Sequence, residues 1–205
     1  MLVRLYDENT NQREVLKIVE LLRDGGVIIY PTDTIYGIGC DITKPKAVER
    51  VARIKNIKPE KAAFSFIFYD LSHISDYAKP LSNSVFKLMK KNLPGPFTFI
   101  VDANNNVPKL FKNSKRSIGI RVPDNNIIRE IVKELGNPIL STSVRDDNDD
   151  ILEYITDPEL IDEKFGHVVD LVIDGGYGGN IASTIVDCTG GEIEIVRQGK
   201  GELIE

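Results

Sequence analysis

Cysteine and histidine are nearly missing from this 205-residue chain: Cys40, Cys188, His73 and His167 are all it has. The cysteines lie far apart with no Cys-x-x-Cys spacing, which argues against a disulfide scaffold or a thiolate zinc site and fits a reducing, cytoplasmic compartment. Two histidines so distant in sequence leave little material for an imidazole metal centre, and neither sits in a recognisable catalytic motif. No apolar run approaches the roughly 20 residues of a membrane-spanning helix, and the opening MLVRLYDENTNQREV turns polar too early for a secretory signal. The common phosphate-binding fingerprints GxxxxGK[ST] and GxGxxG are absent too. The turn Gly175-Gly176-Tyr177-Gly178-Gly179 lacks the Lys and Ser of a P-loop and suits a hairpin or packing role. A formal net charge of -5 supplies no global field to draw nucleic acid or anionic lipid. Any anion site must be a local basic cluster.

What is there is a mixed pattern of helices and strands. Apolar runs predict strands at Leu2–Tyr6, Val27–Tyr30, Phe64–Tyr69, Phe97–Val101, Ser117–Val122, Ile139–Ser143, Val168–Asp174, Ser183–Asp187 and Glu192–Arg197. Helical periodicity covers Gln12–Arg23 behind an Asn11 cap, a segment opening at Pro45 with Ala47, Val48, Val51 and Ile54 on one face, and Asn83–Lys91. It continues from Asn125 or Asn126 to about Glu134 before Gly136, and over Pro158–Phe165. Leu71–Ala78 reads as a further short helix. No repeat or linker splits the chain. The expectation is an α/β protein (α+β by some schemes): one domain over residues 1–205, with an open, twisted, mixed parallel and antiparallel sheet flanked by helices.

The densest chemistry follows Val27–Tyr30, in Pro31-Thr32-Asp33-Thr34-Ile35-Tyr36-Gly37-Ile38-Gly39. An apolar strand can position polar groups just beyond its end, although the same residues suit a plain turn between core strands. Other polar residues sit similarly at strand ends: Arg121, the Ser141-Thr142-Ser143 run, Ser183, Thr184 and Arg197. The expectation is that they converge on one rim of the sheet around a single cavity. A second cluster, Arg53-Ile54-Lys55-Asn56-Ile57-Lys58-Pro59-Glu60-Lys61, places four cations in nine residues. Cations at a helix C-terminus are ordinary, but the run continues past the helix end and suits a phosphate clamp. The RDDNDD stretch over residues 145–150 reads as a solvated acidic loop.

Taken in order, Tyr30-PTDT-Ile35-Tyr36-Gly37, Leu93-PGPFTF, Ile120-Arg121-Val122-Pro123, Ile139-Leu140-STS, Asp174-Gly175-Gly176, Ala182-STIVD and Val196-Arg197-Gln198-Gly199 resemble the YrdC/YciO-like family. The SFIFYDLSHIS and VFKLMKKNLPGPFTFI stretches most resemble its YciO branch. The resemblance implies a YrdC-like fold with a concave basic cleft. It implies L-threonylcarbamoyladenylate synthesis: L-threonine, bicarbonate and ATP, with Mg²⁺ accompanying the ATP, give threonylcarbamoyl-AMP and pyrophosphate for t6A modification of tRNA. It also places Thr34, Arg121, Ser141 and Ser183 on L-threonine, and Ser117, Ser143 and Arg197 on ATP. Lys55 and Lys58 become the catalytic phosphate contacts, with Arg145 beside them. Two motifs differ on the nucleotide side. The family's Lys-x-Arg-Pro reads Lys55-Asn56-Ile57-Lys58-Pro59 here, and its Ser-x-Asn reads Ser143-Val144-Arg145. Two alternatives therefore stand beside the synthase: a tRNA- or double-stranded-RNA-binding protein without full activity, and an enzyme acting on a different adenylate.

Overall fold

The computed structural model describes residues 1–57, 64–107, 116–144 and 154–204. In chain order the elements are β1 (Leu2–Arg4), α1 (Gln12–Arg23), β2 (Val27–Tyr30), β3 (Gly37–Asp41), α2 (Pro45–Ile54), β4 (Ser65–Ile67), α3 (Asn83–Asn92) and β5 (Phe97–Asp102). They continue with β6 (Ser117–Arg121), α4 (Asn126–Leu135), β7 (Ile139–Ser143), α5 (Pro158–Phe165), β8 (Leu171–Asp174), β9 (Thr184–Asp187) and β10 (Glu194–Arg197). The strands form one sheet in the order β1-β8-β2-β3-β7-β4-β6-β5-β9-β10. Four neighbouring pairs are parallel, β1 with β8, β2 with β8, β4 with β6 and β5 with β9, and the rest are antiparallel. The expected open mixed sheet between helices is therefore what the chain adopts.

Local signals explain most boundaries. Asn11 Oδ1 accepts from the Arg13 amide and starts α1, and Asn125 Oδ1 accepts from the Ile128 amide and starts α4. Gly136 closes α4 with φ of 84°, a left-handed conformation open to glycine at no steric cost. Two expectations change. The helix over Leu71–Ala78 reduces to a single 3-10 turn at Ile74–Asp76. A strand appears at Gly37–Asp41, where two glycines lower strand propensity. Close approach explains them. A Cβ on Gly39 would lie 2.2 Å from the Leu140 carbonyl oxygen of β7, so only glycine lets β3 sit between β2 and β7.

Strand registers sort every side chain onto one of two faces. On one face, Ile29, Ile38, Phe66, Ile120, Phe99 and Leu140 pack with α2, α3 and α5 in the larger core. On the other, Ile28, Ile67, Ile139 and Leu171 pack under α1 and α4 in a second core. Gly175–Gly179 makes no hairpin, because β8 and β9 lie far apart in the sheet. It packs instead: the Gly179 amide donates to the Thr34 carbonyl at 2.7 Å, and a Cβ there would stand 2.4 Å from that oxygen. The chain after β10 is clasped to α3, with Asn92 Nδ2 donating to the Ile204 carbonyl and the Ile204 amide donating to Asn92 Oδ1.

Removing the α4 cap tests this arrangement. Asn125→Ala is expected to lower the stability of the whole domain by about 1 kcal/mol, read as a shift of the urea midpoint at unchanged slope. An unchanged midpoint would show that the cap is dispensable.

Candidate functional site

The face covered by α1 and α4 is not covered everywhere. Along β7, Ile139, Ser141 and Ser143 point the same way; Ile139 lies in the second core, while Ser141 and Ser143 line a cavity of about 170 Å³. Along β4, Ile67 is covered and Ser65 lines the cavity. Thr98 of β5, Arg121 of β6, Ser183 just before β9 and Arg197 of β10 complete the polar wall, with Ile35 and Ile185 as apolar patches. Gly119 lies beneath: a Cβ there would come 2.9 Å from Ser65 Oγ and 3.1 Å from Thr98 Cγ2. The site is thus half of a sheet face, not the rim expected from strand ends. The physical reason is the two-residue repeat of a strand, which aligns mid-strand hydroxyls with those at the ends.

Arg121 is the buried charge of the cavity, only 8% exposed. Its Nη2 donates to Thr34 Oγ1 at 2.9 Å and lies 3.4 Å from Asp33 Oδ1. The second distance exceeds the ~2.7–3.2 Å of a good N–H···O bond. Among the described residues, the buried Arg121 Nε and Asp33 Oδ2 have no hydrogen-bond partner. Burial lowers the Arg121 pKa and raises that of Asp33, although each group favours the other's charge. Arg197, a second positive charge lining the same cavity, adds to the lowering at Arg121. Arg197 Nη2 is anchored on the Ser183 carbonyl at 2.7 Å, and Ser183 Oγ shares a 2.8 Å hydrogen bond with Thr98 Oγ1. Two arginines and a row of hydroxyls match the chemistry of a small anion with further hydrogen-bonding groups.

Of the residues singled out in the sequence, Arg121, Ser141, Ser143, Ser183 and Arg197 meet on this cavity. Thr34 does not line it. Thr34 is wholly buried, and its hydroxyl contacts Arg121 and Thr32 Oγ1, which makes it a support for the arginine. Lys55 caps the C-terminus of α2, is buried, and is not among the described residues that line this cavity. The helix end holds it, since its amide donates to the Val51 carbonyl; the chain has not yet loosened there. Ser117 opens β6 on the cavity face but is buried outside the lining. Lys58 and Arg145 lie outside the described residues. The sequence reading missed Ser65, Thr98 and the Gly119 floor. Their signal was the alternation of small polar residues with apolar ones in Ser117-Ile118-Gly119-Ile120-Arg121, Phe97-Thr98-Phe99 and Ser65-Phe66-Ile67. A second cavity of similar size lies by Tyr69 and Lys133, but its His73 and Asp76 are exposed and pair with one another at 3.4 Å.

The fold and this site define an open mixed α/β sheet protein with an arginine-anchored, hydroxyl-lined pocket. The Sua5/YciO/YrdC family model, described as telomere recombination, matches residues 20–199, and the chain belongs to that family. It is similar to YciO of Escherichia coli (strain K12), 39% identical over 97% of this chain and 95% of that protein. The crystal structure of E. coli YciO superposes with a TM-score of 0.91 at 37% identity over 98% of this chain and 97% of that one. A threonylcarbamoyl-AMP synthase of Psychromonas ingrahamii is 30% identical over 82% of this chain and 88% of its own length. P. abyssi Sua5 complexed with L-threonine shares the fold, with a TM-score of 0.88 at 21% identity over 97% of this chain and 57% of that one.

The strained charge pair gives a pH test. A carboxyl whose folded pKa is raised above its ordinary 3.8 gives its full stability below that value and loses it as pH rises through the raised value. Asp33→Asn is therefore expected to gain stability relative to the parent protein as the pH goes from about 3 to about 7. Urea midpoints across that range check it; a constant difference would place Asp33 in a solvated setting.

Proposed function

We propose that the cavity binds L-threonine and that the protein makes threonylcarbamoyl-AMP from L-threonine, bicarbonate and ATP, releasing pyrophosphate. The observation behind this reading is the buried Arg121, which lines a hydroxyl-rich hollow together with a second arginine, Arg197. An amino-acid carboxylate is the natural partner of a guanidinium and offsets the positive charge of both arginines. The volume of about 170 Å³ falls below the ~300–1,000 Å³ typical of drug-sized ligands, so an amino acid fits and a nucleotide must extend past the Arg197 side. The family and the 30%-identical relative named a threonylcarbamoyl-AMP synthase support the same reading.

In this mechanism Arg121 holds the carboxylate, with Thr34 behind it, while Ser141 and Ser183 offer further hydrogen bonds to the bound amino acid. The free amine adds to bicarbonate, losing water, and the carbamate oxygen then attacks the α-phosphate as pyrophosphate departs. Ser143 and Arg197 border the phosphates, and Lys55, Lys58 and Arg145 are assigned to them from sequence position. The protein contributes positioning and charge neutralisation with no covalent intermediate. Among the described residues no three acidic, histidine or cysteine groups gather to hold a metal. A Mg²⁺ ion would arrive on the triphosphate with its own waters.

Pyrophosphate release that requires both L-threonine and bicarbonate is the expected result. Arg121→Lys keeps the charge but loses the planar fork, and is expected to raise KM for L-threonine about tenfold to a hundredfold. Release that ignores L-threonine would sink the proposal. So would RNA affinity falling steeply with salt in a protein that turns over no ATP, which would mark an RNA-binding module.

A further inference from the structure

Tyr30 ends β2, yet its phenol oxygen lies 2.5 Å from Ser141 Oγ on β7, two places away in the strand order β2-β3-β7. The intervening strand makes the crossing possible. Gly37 of β3 is the register partner of Tyr30, and a Cβ at residue 37 would stand 3.0 Å from the phenol ring. With no side chain there, the ring lies across β3 and reaches the cavity wall from behind. The phenol is fully buried, and burial pushes its pKa up, so it stays protonated and donates. Ser141 Oγ is the acceptor in this bond, which leaves the serine's own proton uncommitted. Ser141 is buried and lines the cavity.

We propose that Tyr30 is a positioning residue for the ligand: by donating across Gly37 to Ser141, it occupies the rear of that hydroxyl and aims the Ser141 proton into the cavity as a donor to a carboxylate or carbonyl oxygen. A lone serine hydroxyl is a rotor that gives or takes a hydrogen bond in several directions. Fixing one acceptor direction removes that freedom before the ligand arrives and fixes the polarity of the contact. The pocket then presents Ser141 as a donor alongside the Arg121 guanidinium, a combination selective for anionic or carbonyl oxygen over an ammonium group.

Two measurements test this. A neutron structure of the ligand-free wild-type protein locates the exchangeable deuterons. The expected result is one on Tyr30 Oη directed at Ser141 and one on Ser141 directed into the cavity; a Ser141 deuteron directed at Tyr30 overturns the proposal. The second is calorimetric titration of L-threonine into wild type, Tyr30→Phe, Ser141→Ala and the double variant. Tyr30→Phe is expected to weaken binding about fivefold to tenfold, and the double variant to bind no worse than Ser141→Ala alone. Independent, multiplying losses, or a Tyr30→Phe protein that binds like wild type, overturn it. The titration rests on reading the cavity as an L-threonine pocket, whereas the neutron map does not. Failure of the wild type to take up L-threonine would defeat that reading and leave the deuteron positions to decide the role of Tyr30.

Discussion

The cavity exists because two helices cover only part of one sheet face. α1 and α4 seal the face where its residues are Ile28, Ile67, Ile139 and Leu171, and burying such side chains stabilises the fold by about 1.5–3 kcal/mol each. Further along the same strands the residues on that face become Ser65, Ser141 and Ser143, whose burial under an apolar helix without partners would be costly. The change from branched aliphatics to hydroxyls within single strands therefore marks where coverage stops. Everything assigned to the site follows from that boundary, which passes between Tyr30 and Ser141.

Much of this was legible in the sequence. The helix caps at Asn11 and Asn125, the Gly136 stop and most strands are local signals, and the chain obeys them. Arg121, Ser141, Ser143, Ser183 and Arg197 were recognisable by position and do share one cavity. What escaped depends on partners distant in sequence. β3 looks too rich in glycine to be a strand until β7 is placed against it. Thr34 was assigned to the ligand by resemblance, and the fold adds what no local signal carries, that Arg121 of a distant strand donates to its hydroxyl. Lys55 reads in sequence as the start of a basic run, and the fold adds only that it is the buried C-cap of α2. Ser65 and Thr98 are single hydroxyls in apolar strands, and they become informative only when registers align them with Ser141 and Ser183.

The Asp33–Arg121 pair shows how a protein keeps a receptor ready. A buried ion pair with ideal geometry would satisfy both partners and compete with any ligand. Here the contact is long, one oxygen and one nitrogen find no partner among the described residues, and burial disfavours both groups in their charged forms. Thr34 supports the guanidinium from behind without neutralising it. The arginine is held in place while its electrostatic demand remains unmet.

The clasp between Asn92 and Ile204 has a consequence for the mouth of the pocket. Arg197 sits on an outer strand whose residues all face solvent, and β9 is its one neighbour in the sheet. Beyond it, Thr184 Oγ1 donates to the Gly201 carbonyl, and Asn92 grips the backbone three residues later from both sides. That outermost ribbon is further held by the Lys200 amide donating to the Ala182 carbonyl and Lys200 Nζ donating to the Asp33 carbonyl, while Asn92 ties it to a helix of the opposite core. The edge that carries Arg197 is thus tied both to the Thr32–Thr34 turn, through the Asp33 carbonyl, and to the larger core, through α3.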